Sequence, residues 1–171
     1  MNFDEKKWYV FKVMSRHEKQ AADHLKRKGI QHYLPLRPRK RTWSDRTKII
    51  DFPVFPGYIF AKIDWGSEKN TVFGASGICG YITVDDKQPA VMTEEDLQII
   101  ETLVQGPAEL TVASDENYPS GSEIVIDHGP FKGIQGVVSG VKNKKTLFVK
   151  IPFLSQMVSV EIDAMDVEKI V

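Results

Sequence analysis

Residues Gly121–Val138 read GSEIVIDHGPFKGIQGVV. Apolar and polar side chains alternate up to Asp127, the pattern of a strand with one buried face. His128-Gly129-Pro130 breaks the run, and Gly-Pro between two such runs is turn chemistry. Three more glycines, at 133, 136 and 140, stand where a small barrel must bend or take a positive φ. Further on, strand-like runs recur at Thr146–Ile151, Gln156–Glu161 and Val167–Ile170, with a turn at Asn143-Lys144-Lys145. With Glu123–Asp127 and Gly136–Val141 these are five short strands, which suit one small β-barrel. Phe131 follows the turn, and Phe153 and Leu154 lie between two of the strands.

A second dense stretch lies upstream, Phe52–Phe60, reading FPVFPGYIF. Two prolines and a glycine punctuate the aromatics, and Tyr58–Ile63 then reads as a strand. In it Tyr58 and Phe60 share one face and Ile59 takes the other. Trp8–Val13 is another strand. Ser15 and Glu18 form a capping-box pattern for a helix running to about Lys28 and stopping at Gly29. Ala21, Ala22 and Leu25 give that helix a narrow apolar stripe. Tyr33–Leu36 is a short strand. The window Arg37–Lys48, RPRKRTWSDRTK, reads as a protruding hairpin with its tip near Trp43–Arg46, with a disordered loop as the alternative. A short helix is expected over Glu68–Gly74, with Ser67 as its cap, a strand over Ile78–Val84 and a turn at Asp85-Asp86-Lys87. Thr93 then caps a helix whose Leu97, Ile100, Leu103 and Val104 recur at helical spacing. Gly106–Ser120 breaks this pattern and reads as a linker, within which Thr111-Val112 can pair briefly.

The zero net charge conceals a polarised distribution. Residues 1–50 hold 14 Lys/Arg against 5 Asp/Glu, residues 51–114 hold 3 against 10, and residues 115–171 hold 6 against 8. A basic first third suggests a surface for a polyanion. Cys79 is the one cysteine, so no internal disulfide is possible. It is expected as a small buried hydrophobe in a reducing cytoplasm. No apolar run approaches a membrane span, and MNFDEKKWYV carries no signal-peptide core. No phosphate-binding glycine loop, nucleophile elbow or metal-ligand spacing is present, so no cofactor or metal is expected. Asp85-Asp86 and Glu94-Glu95-Asp96 are explained by a turn and a helix N-terminus. An enzyme is not expected.

The order of Trp8-Tyr9 strand, basic helix, Phe-Pro-Gly-Tyr and the Gly121–Val138 run resembles the NusG family of transcription elongation factors, over roughly Lys7 to Val171. The run at 121–138 resembles that family's KOW motif. The resemblance implies an α+β protein. An N-terminal NGN-type sandwich with a mainly antiparallel sheet would span residues 1–106, a linker 107–120, and a five-stranded KOW β-barrel 121–171. It implies that RNA polymerase is the partner, its clamp helices received by Val10, Lys12, Phe55, Pro56, Tyr58, Phe60, Leu97 and Ile100. For several of these aromatics a place in the core is the competing reading. The polymerase gate loop would meet Glu68, Lys69, Asn70 and Thr71. Upstream or non-template DNA would meet Arg16, His17, Lys19, His24 and Arg27 from the helix, with Arg37, Arg39, Lys40, Arg41, Trp43 and Arg46 from the hairpin. A small-subunit ribosomal protein or a termination factor would meet Phe131 and Phe153, with a core plug as the competing reading for Phe131. The expected protein is a cytoplasmic monomer that favours the closed, processive polymerase. The basic hairpin raises the prospect of a specialised, operon-recruited member. The alternative is an RNA- or ribosome-binding accessory protein that uses the KOW barrel and the hairpin.

Overall fold

The structure, a computed structural model, describes residues 5–117, 119–121, 123–139, 144–151, 153–163 and 167–169. Gly140 and Asn143, read as a barrel bend and the first residue of a turn, lie outside the described residues. Two compact units divide the chain, Met1–Glu94 and Glu95–Val171. The sequence places the end of the first domain at residue 106, so the third helix falls largely beyond the observed division.

The first unit runs β1 (Lys7–Val13), α1 (Glu18–Arg27), β2 (Gln31–Tyr33), β3 (Leu36–Thr42), β4 (Thr47–Pro53), β5 (Tyr58–Ile63), α2 (Trp65–Phe73), β6 (Ile78–Tyr81), β7 (Thr83–Val84), β8 (Gln88–Pro89) and β9 (Val91–Met92). Its main sheet is antiparallel in the order β2-β5-β1-β6, with β9 pairing the first residues of β1. Alternation along β1 and β5 sorts their side chains to two faces. Tyr9, Phe11 and Val13 join Ile59, Ala61 and Ile63 in one core, closed by Ala21 and Leu25 of α1 and Val72 of α2. Trp65 stacks within 6.1 Å of Phe11 and packs 4.9 Å from Tyr9 and from Tyr81. The opposite face carries Val10, Lys12, Tyr58 and Phe60, with Val10 across from Phe60 and Lys12 across from Tyr58.

Several local expectations are corrected. Helix α1 starts at Glu18, not near Ser15, because Arg16 takes φ 67° and turns the chain first. His17 is its N-cap, with no side-chain cap bond. Helix α2 starts three residues early, at Trp65, and its cap is Asp64 rather than Ser67. Asp64 Oδ1 accepts from the Gly66 N–H at 2.9 Å, and the Ser67 hydroxyl donates to Asp64 Oδ2. Cys79 is exposed, not buried. It sits on edge strand β6, whose pairing with β1 shifts register between Lys12 and Val13, and its thiol reaches the Lys12 carbonyl at 3.5 Å. The strand expected over Ile78–Val84 splits after Tyr81, and β7 folds back on β8 through Asp85 and Asp86, both at positive φ.

The second unit contains α3 (Glu94–Gln105, from its second residue), β10 (Leu110–Ser114), a 3₁₀ turn (Asp115–Asn117), β11 (Glu123–Ile126), β12 (Gln135–Ser139), β13 (Lys144–Ile151), β14 (Gln156–Asp163) and β15 (Val167–Lys169). These strands form an antiparallel sheet in the order β10-β14-β13-β12-β11-β15. Five strand regions match the sequence reading. The sixth, β10, lies in the stretch read as a linker and pairs with β14 over five residues. Gly129 and Gly133 take φ of 81° and 85° in the β11–β12 turn, as the glycine pattern anticipated. Leu147, Val149 and Ile151 on β13 and Val158, Val160 and Ile162 on β14 are buried with Ile124 and Ile126. The architecture is α+β with mainly antiparallel sheets.

Candidate functional site

Strands β3 and β4 form the hairpin expected over Arg37–Lys48, as a separate two-stranded sheet. Its tip is closed by the Trp43 N–H donating to the Arg46 carbonyl at 2.8 Å. The Thr47 hydroxyl reaches that of Thr42 at 3.2 Å. Pro38 can stand in β3 because a two-stranded ribbon is all edge. Cross-strand pairs place Arg37 opposite Phe52, Arg39 opposite Ile50 and Arg41 opposite Lys48. Alternation therefore collects three arginines and a lysine on one face, with Ile50 and Phe52 among them. Lys40 and the exposed Ile49 lie on the other face. At the tip, the Arg41 and Arg46 guanidiniums stand 5.1 and 5.8 Å from the centre of the Trp43 ring, within cation–π range.

A cleft of about 340 Å³ opens between the arginine face and the start of α1. Arg16, Lys19, Arg39 and Arg41 line it, with Glu18, Asp51, Ile50, Phe52 and Pro56 among its other walls. Four of the residues assigned to nucleic acid thus meet around one opening. The rest do not. Lys40 is on the far side of the hairpin. His17 packs against Gly77, where an added Cβ would fall 2.4 Å from its own. Its Nδ1 lies 3.1 Å from the Ser15 carbonyl. His24 and Arg27 sit one to two turns further along α1 and do not line the cleft.

Beside the cleft lies the Phe55–Tyr58 turn. The Tyr58 N–H donates to the Phe55 carbonyl at 3.3 Å, Pro56 holds the second position and Gly57 the third at φ 85°. That is a type II turn, whose third residue needs a positive φ, hence glycine. Of the residues assigned to the polymerase, Lys12 and Pro56 are exposed and Tyr58 is half-buried. Val10, Phe55, Phe60, Leu97 and Ile100 are buried, at most 4% exposed. They are core side chains, and the accessible part of the set is smaller than the sequence reading allowed. The periodicity that marks a buried sheet face also marks a docking face, so burial alone separates them.

On α2, Glu68 is committed to its own helix start, accepting from Lys6 Nζ at 2.7 Å and from the Asp64 N–H at 2.8 Å. The Lys6 hydrogen bond above all holds its carboxyl below the ordinary glutamate value. The Ser67 hydroxyl does the same for Asp64. Lys69 and Thr71 are half-buried and Asn70 is exposed. Glu94 is held low by Lys62 Nζ, and next by Trp8, whose indole N–H donates to it at 3.0 Å. Phe131 is only 3% exposed, its ring so close to Gly106 that a Cβ there would fall 2.4 Å from it. Phe153 is the accessible aromatic of that pair, 41% exposed, and holds φ 66°. A positive φ is uncommon for an aromatic and concentrates at functional loops.

Two groups in these surroundings escaped the sequence reading. Ile50 and Phe52 line the cleft, and the period-2 pattern of Arg37-Pro-Arg39-Lys-Arg41 would have placed them opposite the arginines. Glu18, read as half of a capping box, is buried and reaches the Gly57 N–H at 2.9 Å. Nothing local signals a contact 39 residues away. Among the described residues no group of three or more His, Cys, Asp or Glu side chains could hold a metal, and no helix is long and apolar enough to cross a membrane.

Residues 6–101, more than half of the chain, match the family model described as "Transcription termination factor nusG". The chain is similar to the transcription termination/antitermination protein NusG of Haemophilus influenzae, 22% identical, covering 97% of this chain and 95% of that one. It is likewise similar to the NusG of Campylobacter jejuni, 25% identical, covering 96% and 98%. Its fold resembles a structure described as "Domain interaction in Thermotoga maritima NusG", with a TM-score of 0.62 at 20% identity, covering 99% of this chain and all of that one. These relatives are transcription factors rather than enzymes, and the chain belongs to the NusG family of termination/antitermination factors.

Proposed function

We propose that this chain rides on RNA polymerase, docking its clamp helices at the Phe-Pro-Gly-Tyr turn and the adjoining sheet face. Tyr58, Pro56 and Lys12 supply the accessible contacts. An aromatic with a polar handle beside a rigid turn is a favoured interface anchor. Lys69, Asn70 and Thr71 of α2, with Glu68 holding the helix start beside them, meet the gate loop on the opposite wall of the channel, and bridging both walls favours the closed clamp. The basic cleft lies next to the turn. Arg16, Lys19, Arg39 and Arg41 hold phosphates of upstream or displaced DNA there, contacts that position without specifying sequence. Phe153 on the second unit engages a further partner, a ribosomal protein or a termination factor.

The observation that carries this reading is the adjacency of turn and cleft, which share Pro56. One partner that presents protein and nucleic acid side by side satisfies both. The basic hairpin suits a member recruited to particular operons. The test is transcription in vitro on templates with a pause and a terminator, with and without the chain. Altered dwell at the pause or altered read-through is expected. An RNA- or ribosome-binding accessory protein would leave both unchanged, and would not co-purify with polymerase after nuclease treatment.

A further inference from the structure

Glu18 is the charged side chain buried among the described residues, 4% exposed. A carboxylate is removed from water at high cost unless bonds and charges replace its hydration. Glu18 sits at the first position of α1, where the helix dipole favours negative charge. Its Oε1 accepts the Gly57 N–H at 2.9 Å. In a type II turn the third residue's N–H points away from the turn's own hydrogen bond, so this donor needs a partner from outside. The Gly57 carbonyl is engaged as well, accepting from the Val13 N–H at 2.8 Å. The turn is thereby tied to the end of β1 through one backbone group and to the start of α1 through the other.

We propose that Glu18 is a positioning residue for the Phe-Pro-Gly-Tyr turn, setting Pro56 and Tyr58 at the angle in which they meet polymerase. The proposal rests on the polymerase-binding reading above. Because α1 starts at Glu18, Ser15 lies outside the helix, and the Glu18 carboxylate is free to engage the distant turn. What matters is the reach of an acceptor oxygen, not the charge. Glutamine keeps that reach and loses the charge. Aspartate keeps the charge and is one methylene too short.

Full-length wild type, Glu18→Gln and Glu18→Asp are compared by hydrogen exchange at the Gly57 amide and by affinity for core RNA polymerase. Glu18→Gln is expected to keep Gly57 protection and polymerase affinity within about threefold of wild type, because a neutral acceptor of the same reach still makes the bond, at roughly half the strength. Glu18→Asp is expected to lose about tenfold in both, the loss of a hydrogen bond made by a charged group, while melting cooperatively. The reverse order, with glutamine weak and aspartate normal, overturns the proposal in favour of charge. So does wild-type affinity in an aspartate variant whose Gly57 amide has lost protection. A wild-type chain that fails to bind polymerase retires the functional reading, and the Gly57 amide still decides whether Glu18 holds the turn.

Discussion

Phe55 and Tyr58 close the same turn, yet a substitution at each should read out differently. Phe55 is 1% exposed, so Phe55→Ala leaves a cavity and should cost about 3–5 kcal/mol of stability. Tyr58 is half-buried and pairs across from the exposed Lys12. Tyr58→Ala should leave the melting temperature nearly unchanged and remove about 1–2 kcal/mol of polymerase affinity. Titration of each variant against polymerase, beside its thermal melt, checks both. Equal loss of affinity in two equally stable variants would sink the distinction. The same logic separates Phe131 from Phe153 in the second unit. Phe131→Ala should destabilise, and Phe153→Ala should not, because only the former fills packed space. Tyr9 is a core side chain, and its pKa is raised by burial first and by the Asp64 charge second.

At the scale of elements, the hairpin and the start of α2 carry the clearest consequences. The hairpin presents Arg39 and Arg41 on one face. The double variant Arg39→Ala with Arg41→Ala should flatten the salt dependence of binding to single-stranded DNA. Every phosphate left without its arginine lowers the slope of log K against log salt by about 0.7. An unchanged slope would make the hairpin a solvated ornament. Trp43 supports Arg41 and Arg46 by cation–π contact. Trp43→Ala should therefore weaken all sequences alike, and a loss confined to one leader sequence would instead indicate base stacking. The start of α2 is held by its cap Asp64 and by Glu68 in its first turn, both kept below ordinary carboxylate values. A lowered folded-state pKa gives stability that is present above the unfolded value and lost as pH falls through the folded one. The difference in melting temperature between wild type and Asp64→Ala should be full at neutral pH. It should shrink as pH drops below about 4, the unfolded aspartate range. A difference independent of pH would assign the cap to geometry without charge.

Across the whole molecule, the two compact units each have a buried apolar interior. Leu25→Ala in the first and Leu147→Ala in the second should each cost about 2–5 kcal/mol locally. If the units unfold independently, calorimetry will show two transitions, and each substitution will lower only one. A single transition lowered by both would mean that they melt together.

Alternation over Gly121–Val138, the punctuated aromatics of Phe52–Phe60 and the charge alternation of the hairpin were all legible in the sequence. Each is a local pattern: strand periodicity, turn chemistry and side-chain polarity are set by neighbours within a few residues. They suffice for the α+β class, the hairpin with its tip at Trp43–Arg46, and the family. Tertiary structure alone decided which apolar residues are core, because a docking face and a core face share one periodicity and differ only in what covers them. It moved the starts of α1 and α2, since Arg16 turns the chain before one and Asp64 outcompetes Ser67 as the cap of the other. It exposed Cys79 on an edge strand and drew β10 out of an apparent linker by giving it a partner in β14. It also carried Glu18 to Gly57, because a buried carboxylate takes the donor that the fold brings to it, and that donor is 39 residues away along the chain.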